Sequence, residues 1–113
     1  NRFITLPDGQ KIVLRNITYT EYHNHTIIIH SKKRADLQTR MSQMDWENLL
    51  SEHRFLYSCS KGIVVNFHEV EKSEDGMFLL RNGAFVPISR RKAKDTLEAF
   101  AQFQFEQMRK GAH

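Results

Sequence analysis

The residues best able to do chemistry lie in one basic run, Ser89-Arg90-Arg91-Lys92, which closes a strand–turn–strand pattern and opens a helical one. A planar guanidinium can bond the O6 and N7 of a guanine together, while lysine, arginine and serine meet backbone phosphates. Arg90 is the first candidate for a base: it leaves a hairpin and begins a helix, where its charge opposes the helix dipole and is not placed for helix stability. Arg91 and Lys92 are assigned to phosphates. Other chemistry finds less support. His23, His25 and His30 lie close together in a chain with six histidines, but a structural zinc site takes four ligands, usually with Cys-x-x-Cys pairs, and the chain has one cysteine. That residue, Cys59, falls in a β-favouring run and reads as a small core hydrophobe. Glycine-rich phosphate loops are absent from the sequence. No catalytic group, metal or cofactor is expected.

The scaffold for these residues centres on positions 55–90. Residues 77–81 and 84–88 flank Asn82-Gly83, which predicts a hairpin with a type I′ turn, and Pro87 puts its second strand at an edge or bulge. Residues 55–57 and 63–65 favour strands, Asn66 is a structural turn residue, and 67–70 resume as a strand. Upstream, residues 2–6 and 11–15 surround Pro7-Asp8-Gly9-Gln10 as an opening hairpin. Residues 17–22 form a strand, His23-Asn24-His25 a turn, and 26–30 a strand apolar enough to be buried on both faces. A basic turn at 31–34 and a short strand at 35–39 follow. Ser42 caps a helix over 42–52 whose apolar surface is Met44, Trp46, Leu49 and Leu50. From Ser89 a long amphipathic helix presents Leu97, Phe100, Ala101, Phe105 and Met108, with Phe103 off the stripe. It serves as a strut on the sheet, or else as a dimer contact. Residues 111–113 read as a disordered tail.

The segment KGIVVNFHEV, the acidic turn after it, the strand–Asn-Gly–strand hairpin and PISRRKAKDTL resemble the LytTR DNA-binding domain, the output module of many bacterial response regulators, over about residues 12–97. The motif is met at Lys61, Val65, Asn66, Ser89 and Arg90, and departed from at Ser58, Ser60 and Gly62. The resemblance implies a mainly β domain, an elongated stack of small antiparallel sheets with one short helix and a C-terminal amphipathic helix at about 90–110. It also implies sequence-specific binding of double-stranded DNA from loops. Arg90 matches the family's base-reading arginine, His25 lies in a turn that carries a family DNA contact, and Lys61 occupies a contact position before the GIVVN run. Asn24, Ser60 and Arg91 flank these. Such domains bind paired direct repeats through successive major grooves and often bend them, so two copies act together. A receiver or sensor domain N-terminal to the chain, answering a sensor kinase, is the implied partner in transcription regulation.

Length and composition fit this reading. A chain of 113 residues makes one domain large enough for a core. Its single cysteine, and the lack of a signal peptide or long apolar run, predict a cytoplasmic protein with no membrane partner. Net charge is +4. Lys32, Lys33, Arg34 and Arg40 form one basic group, Arg90, Arg91, Lys92 and Lys94 another, and residues 69–75 an acidic loop, which predicts an electrically two-sided molecule. Two rivals are a non-sequence-specific single-strand binder stacking bases on Tyr19, Tyr22, Phe67 and Phe78, and a protein-interaction module docking through residues 69–75. A hydrolase built on Cys59 and a histidine is the third.

Overall fold

The computed structural model describes residues 2–111, so Ala112 and His113 of the expected tail lie outside the described residues. The chain opens with β1 (Phe3–Thr5) and β2 (Lys11–Val13), which pair as a two-stranded hairpin. A five-stranded antiparallel sheet follows, built from β3 (Ile17–His23), β4 (Thr26–Ser31), β5 (Leu37–Arg40), β6 (Leu56–Ser60) and β7 (Ile63–Asn66) in the order β5-β4-β3-β7-β6. A third sheet takes β8 (Val70–Glu74), β9 (Met77–Leu80) and β10 (Phe85–Pro87) in the order β10-β9-β8. Helix α1 (Gln43–Leu50) joins β5 to β6, and α2 (Ala93–Gly111) closes the described chain. The body measures 40 × 34 × 25 Å, an elongated stack of small sheets as the sequence implied. No helix among the described residues is long and apolar enough to cross a membrane.

The five-stranded sheet is the middle layer, because its strands alternate and each of its faces meets a separate core. On one side Ile17, Ile27, Ile29 and Val64 pack with Leu14, Trp46 and Leu50, under the first hairpin and α1. On the other, Val65 and Cys59 join Phe67, Phe78, Val86 and Phe100 beneath the third sheet and α2. Two buried polar groups pin the layers. The Trp46 indole N–H donates to Thr20 Oγ1 at 2.9 Å. Asn66, fully buried, donates from Nδ2 to the Ile17 carbonyl at 2.8 Å and accepts the His68 N–H on Oδ1 at 2.8 Å, a structural role as expected.

The turns obey simple backbone rules, with one correction. In Leu6–Gln10 the Gly9 N–H donates to Leu6 O, and Leu6 N–H to Gln10 O, with Gly9 at φ +92°. Leu80–Ala84 repeats this arrangement with Gly83 at φ +91°, and Asn82 is not in the positive-φ region, so the Asn-Gly pair does not make a type I′ turn. The loop is one residue longer: Asn82 uses its side chain instead, accepting the Ala84 N–H at 2.9 Å, as Asp8 accepts that of Gln10 at 3.0 Å. Two successive positive φ values occur instead at Asn24-His25 (49° and 65°) and Asp75-Gly76 (51° and 76°), which join β3 to β4 and β8 to β9.

Four further expectations need correction. β4 is not buried on both faces; Ile27 and Ile29 are sealed while Ile28 is half-buried. Residues 67–69 form a 3-10 turn, capped by Asn66, before β8 begins. In α1 only Trp46 and Leu50 are buried, and Met44 is 73% exposed. The stripe expected on α2 lies mostly outward: Leu97, Phe105 and Met108 are exposed, and the helix packs through Ala93, Thr96, Ala99, Phe100 and Phe103. Phe103 is therefore half-buried against the core, touching Phe67 at a centroid distance of 5.6 Å, and the helix runs through Gly111.

Candidate nucleic-acid interface

Strand order assembles the candidate residues. β3 runs into the Asn24-His25 turn and β4 leaves it, while Glu21 faces Ile63 across the β3–β7 pair. The Lys61-Gly62 turn before β7 therefore stands at the same end of the sheet, tied there by the Tyr22 N–H donating to Gly62 O at 2.8 Å. Gly62 sits at φ +76°, which is what requires glycine; a Cβ would meet Tyr22 at an ordinary 3.5 Å. The end of β5 also arrives here, since Arg40 faces Thr26 and the Met41 N–H donates to His25 O at 3.0 Å.

The basic run joins them through β6. Ser89 N–H donates to Cys59 O at 3.0 Å, and the Ser89 hydroxyl accepts the Lys92 N–H at 3.2 Å, capping a 3-10 turn over Arg90–Lys92 that leads into α2. The Lys92 ammonium bonds Ser58 at its carbonyl (3.3 Å) and hydroxyl (2.9 Å). Lys92 thus clamps this turn to β6. Arg90 and Arg91, their charges unclaimed by any described carboxylate, are exposed, as are Asn24, His25 and Lys61. Ser60 is half-buried beside them. The His25 ring lies 3.4 Å from the Tyr22 hydroxyl through Nδ1.

Charge is arranged differently from the two-sided expectation. Lys32, Lys33 and Arg34 follow β4 and so lie at the opposite end of the sheet; Lys32 N–H donates to Asn16 O at 2.8 Å and its ammonium pairs with Glu69 at 3.0 Å. The acidic run is not a loop but the edge strand β8, and its Asp75-Gly76 turn ends beside the basic run, with Ile88 N–H donating to Gly76 O at 3.0 Å. Three residues at the loop-bearing end escaped the sequence reading: Arg40, Gln43 and Glu47. Arg40 carried a signal, since it was counted with a basic group; Gln43 and Glu47 carried none, because α1 has no visible register to the loops.

The rival chemistries lose their residues. Cys59 is fully buried, its thiol donates to Pro87 O at 3.5 Å, and burial pushes its pKa up to about 12, so it is no nucleophile. Phe67 and Phe78 are sealed in the core and Tyr19 stacks on His30 at 4.2 Å, which leaves no row of open rings for stacking bases. His23 and His30 are both engaged by Glu21, whose carboxyl burial would raise but whose hydrogen bonds from the two histidines hold below the usual range.

Comparison with known proteins identifies the family and the fold. The family model described as "LytTr DNA-binding domain" matches residues 10–101. Among solved structures the chain resembles a LytTr DNA-binding domain from Bacillus cereus, in a protein described as a methyl-accepting/DNA response regulator, with a TM-score of 0.72 and 18% identity over 88% of this chain and 96% of that one. No curated protein matches the chain.

Proposed function

The chain belongs to the LytTr DNA-binding domain family, and from that premise we propose that it reads duplex DNA with the loops gathered at one end of its five-stranded sheet. Family membership makes it a DNA-binding domain of transcription regulation, from a family that is not catalytic. Our reading assigns base contacts to Arg90, Lys61 and His25. Arg91, Asn24 and Ser60 serve the flanking backbone, and Lys92 contributes by fixing the turn that carries Arg90.

What carries the reading is a single arrangement: the Asn24-His25 turn, the Lys61-Gly62 turn and the Arg90–Lys92 turn, far apart in sequence, end on one side with exposed donors. Projecting loops of this kind suit adjacent major grooves, each wide enough for side chains to reach base edges. We assign the target as paired direct repeats bound by two copies, with bending of roughly 1–6 kcal/mol offset by the added contacts. A receiver domain answering a sensor kinase would supply the signal.

The test is anisotropy binding to a duplex with two direct repeats, selected from a random library, and to a scrambled duplex, across a salt series. Arg90→Ala is expected to lower the preference for the selected duplex by about 1–3 kcal/mol, while affinity for both falls as salt rises. Equal binding of wild type and Arg90→Ala to both duplexes would refute base reading.

A further inference from the structure

We propose that Gln43 and Glu47, one turn apart on α1, form a second base-reading element that accepts the exocyclic amino group of a cytosine or adenine beside the base pair met by Lys61. This rests on the DNA-binding end proposed above and adds a class of contact that the basic loops cannot make.

The two side chains line one recess of about 610 Å³ together with Ser58, Lys61, Ser89 and Arg91. The β6–β7 turn and the Arg90–Lys92 turn furnish donors and positive charge; α1 furnishes acceptors. Gln43 Nε2 donates to Glu47 Oε2 at 2.7 Å, which fixes how the amide lies and leaves its Oε1 as an acceptor. That oxygen is buried and has no hydrogen-bond partner among the described residues. Buried acceptors in native proteins are almost always paired, so this one lacks the donor that would satisfy it.

The chemistry of that donor is narrow. Phosphate oxygens cannot donate, and a carboxylate beside them is repelled, so a glutamate within a basic recess works against general backbone grip. Amino groups at cytosine N4 and adenine N6 donate into the major groove, and glutamate and glutamine are their matching acceptors. Glu47 makes no ion pair with Lys61 or Arg91 among the described residues. It is half-buried and held by Gln43, so it points a fixed acceptor and not a mobile charge.

The experiment is selection of preferred duplexes from a random library by the intact protein, in parallel for wild type, Glu47→Ala, Gln43→Ala and Arg90→Ala, with unfolding midpoints measured for each. The expected result is that Glu47→Ala and Gln43→Ala each lose about five- to a hundredfold preference at the same base pair, cytosine or adenine in wild type. Preference at the base pair lost by Arg90→Ala stays intact in both. If Glu47→Ala and Gln43→Ala return the wild-type motif, with affinity for all duplexes unchanged or raised together, the pair only tempers the field of the recess and the inference is wrong. If wild type and Arg90→Ala both select no motif, the loop reading fails first and this inference falls with it.

Discussion

His68 offers a quantitative test of how the third layer is closed. Its ring sits under α2 between Phe55 and Phe103, with centroid distances of 5.0 and 4.7 Å. Burial first, and the positive charge of Arg15 second, push its pKa down from 6.5 to about 4. Below pH 6.5 the unfolded chain takes a proton that the folded chain refuses until about pH 4. Stability is therefore whole above that window and falls as pH drops through it. At about 1.4 kcal/mol per unit, moving from pH 7.5 to 5.0 costs about 2 kcal/mol at most, and about 1 once the ring's partial exposure is discounted. Urea unfolding followed by Trp46, the sole and fully buried tryptophan, reads this directly. His68→Phe keeps an aromatic between the same neighbours and removes the proton, so the variant should lose about 1–2 kcal/mol less than wild type over that pH step. Identical pH slopes in the two proteins would refute the argument, whatever their absolute stabilities.

The packing face of α2 gives a sharper contrast: Phe100→Ala should cost about 3–5 kcal/mol in the same assay, whereas Phe105→Ala, 56% exposed, should stay within about 0.5. Asn66→Ala strips partners from both the Ile17 carbonyl and the His68 N–H and should cost about 2–4 kcal/mol, without repair by raising pH. With its thiol sealed and pushed up to about 12, Cys59 should react with a disulfide reagent on the order of a thousandfold more slowly in the native protein than in urea, a ratio that a stopped-flow trace measures.

Local chemistry made much of this fold legible. Gly9 and Gly83 mark hairpins because few residues tolerate their positive φ, Asn82 because its side chain accepts a turn N–H, and Ser42 and Ser89 mark helix starts because their hydroxyls cap free N–H groups. What failed was choice of face. On α2 Leu97, Phe105 and Met108 point outward, and the packing face is built from Ala93, Thr96 and Ala99 around Phe100 and Phe103, so weight of hydrophobicity pointed mostly to the wrong side. The 3-10 turn at 67–69 was hidden because its cause is the Asn66 side chain, not the residues in it. The loop cluster was legible only through family resemblance; its assembly depends on β7 lying beside β3, a pairing between segments more than forty residues apart that no local pattern encodes.

The three-stranded sheet has a consequence for crowding. Its outer strands are each poor templates for another chain: β10 carries Pro87, which has no N–H to offer, and β8 bears Glu71, Lys72 and Glu74 along an exposed run. When copies are brought to high local density, these borders resist fusing into a continuous sheet. Close company then does not lead to aggregation through this sheet. Acid that neutralises β8 would weaken one of the two guards and leave the proline to act alone.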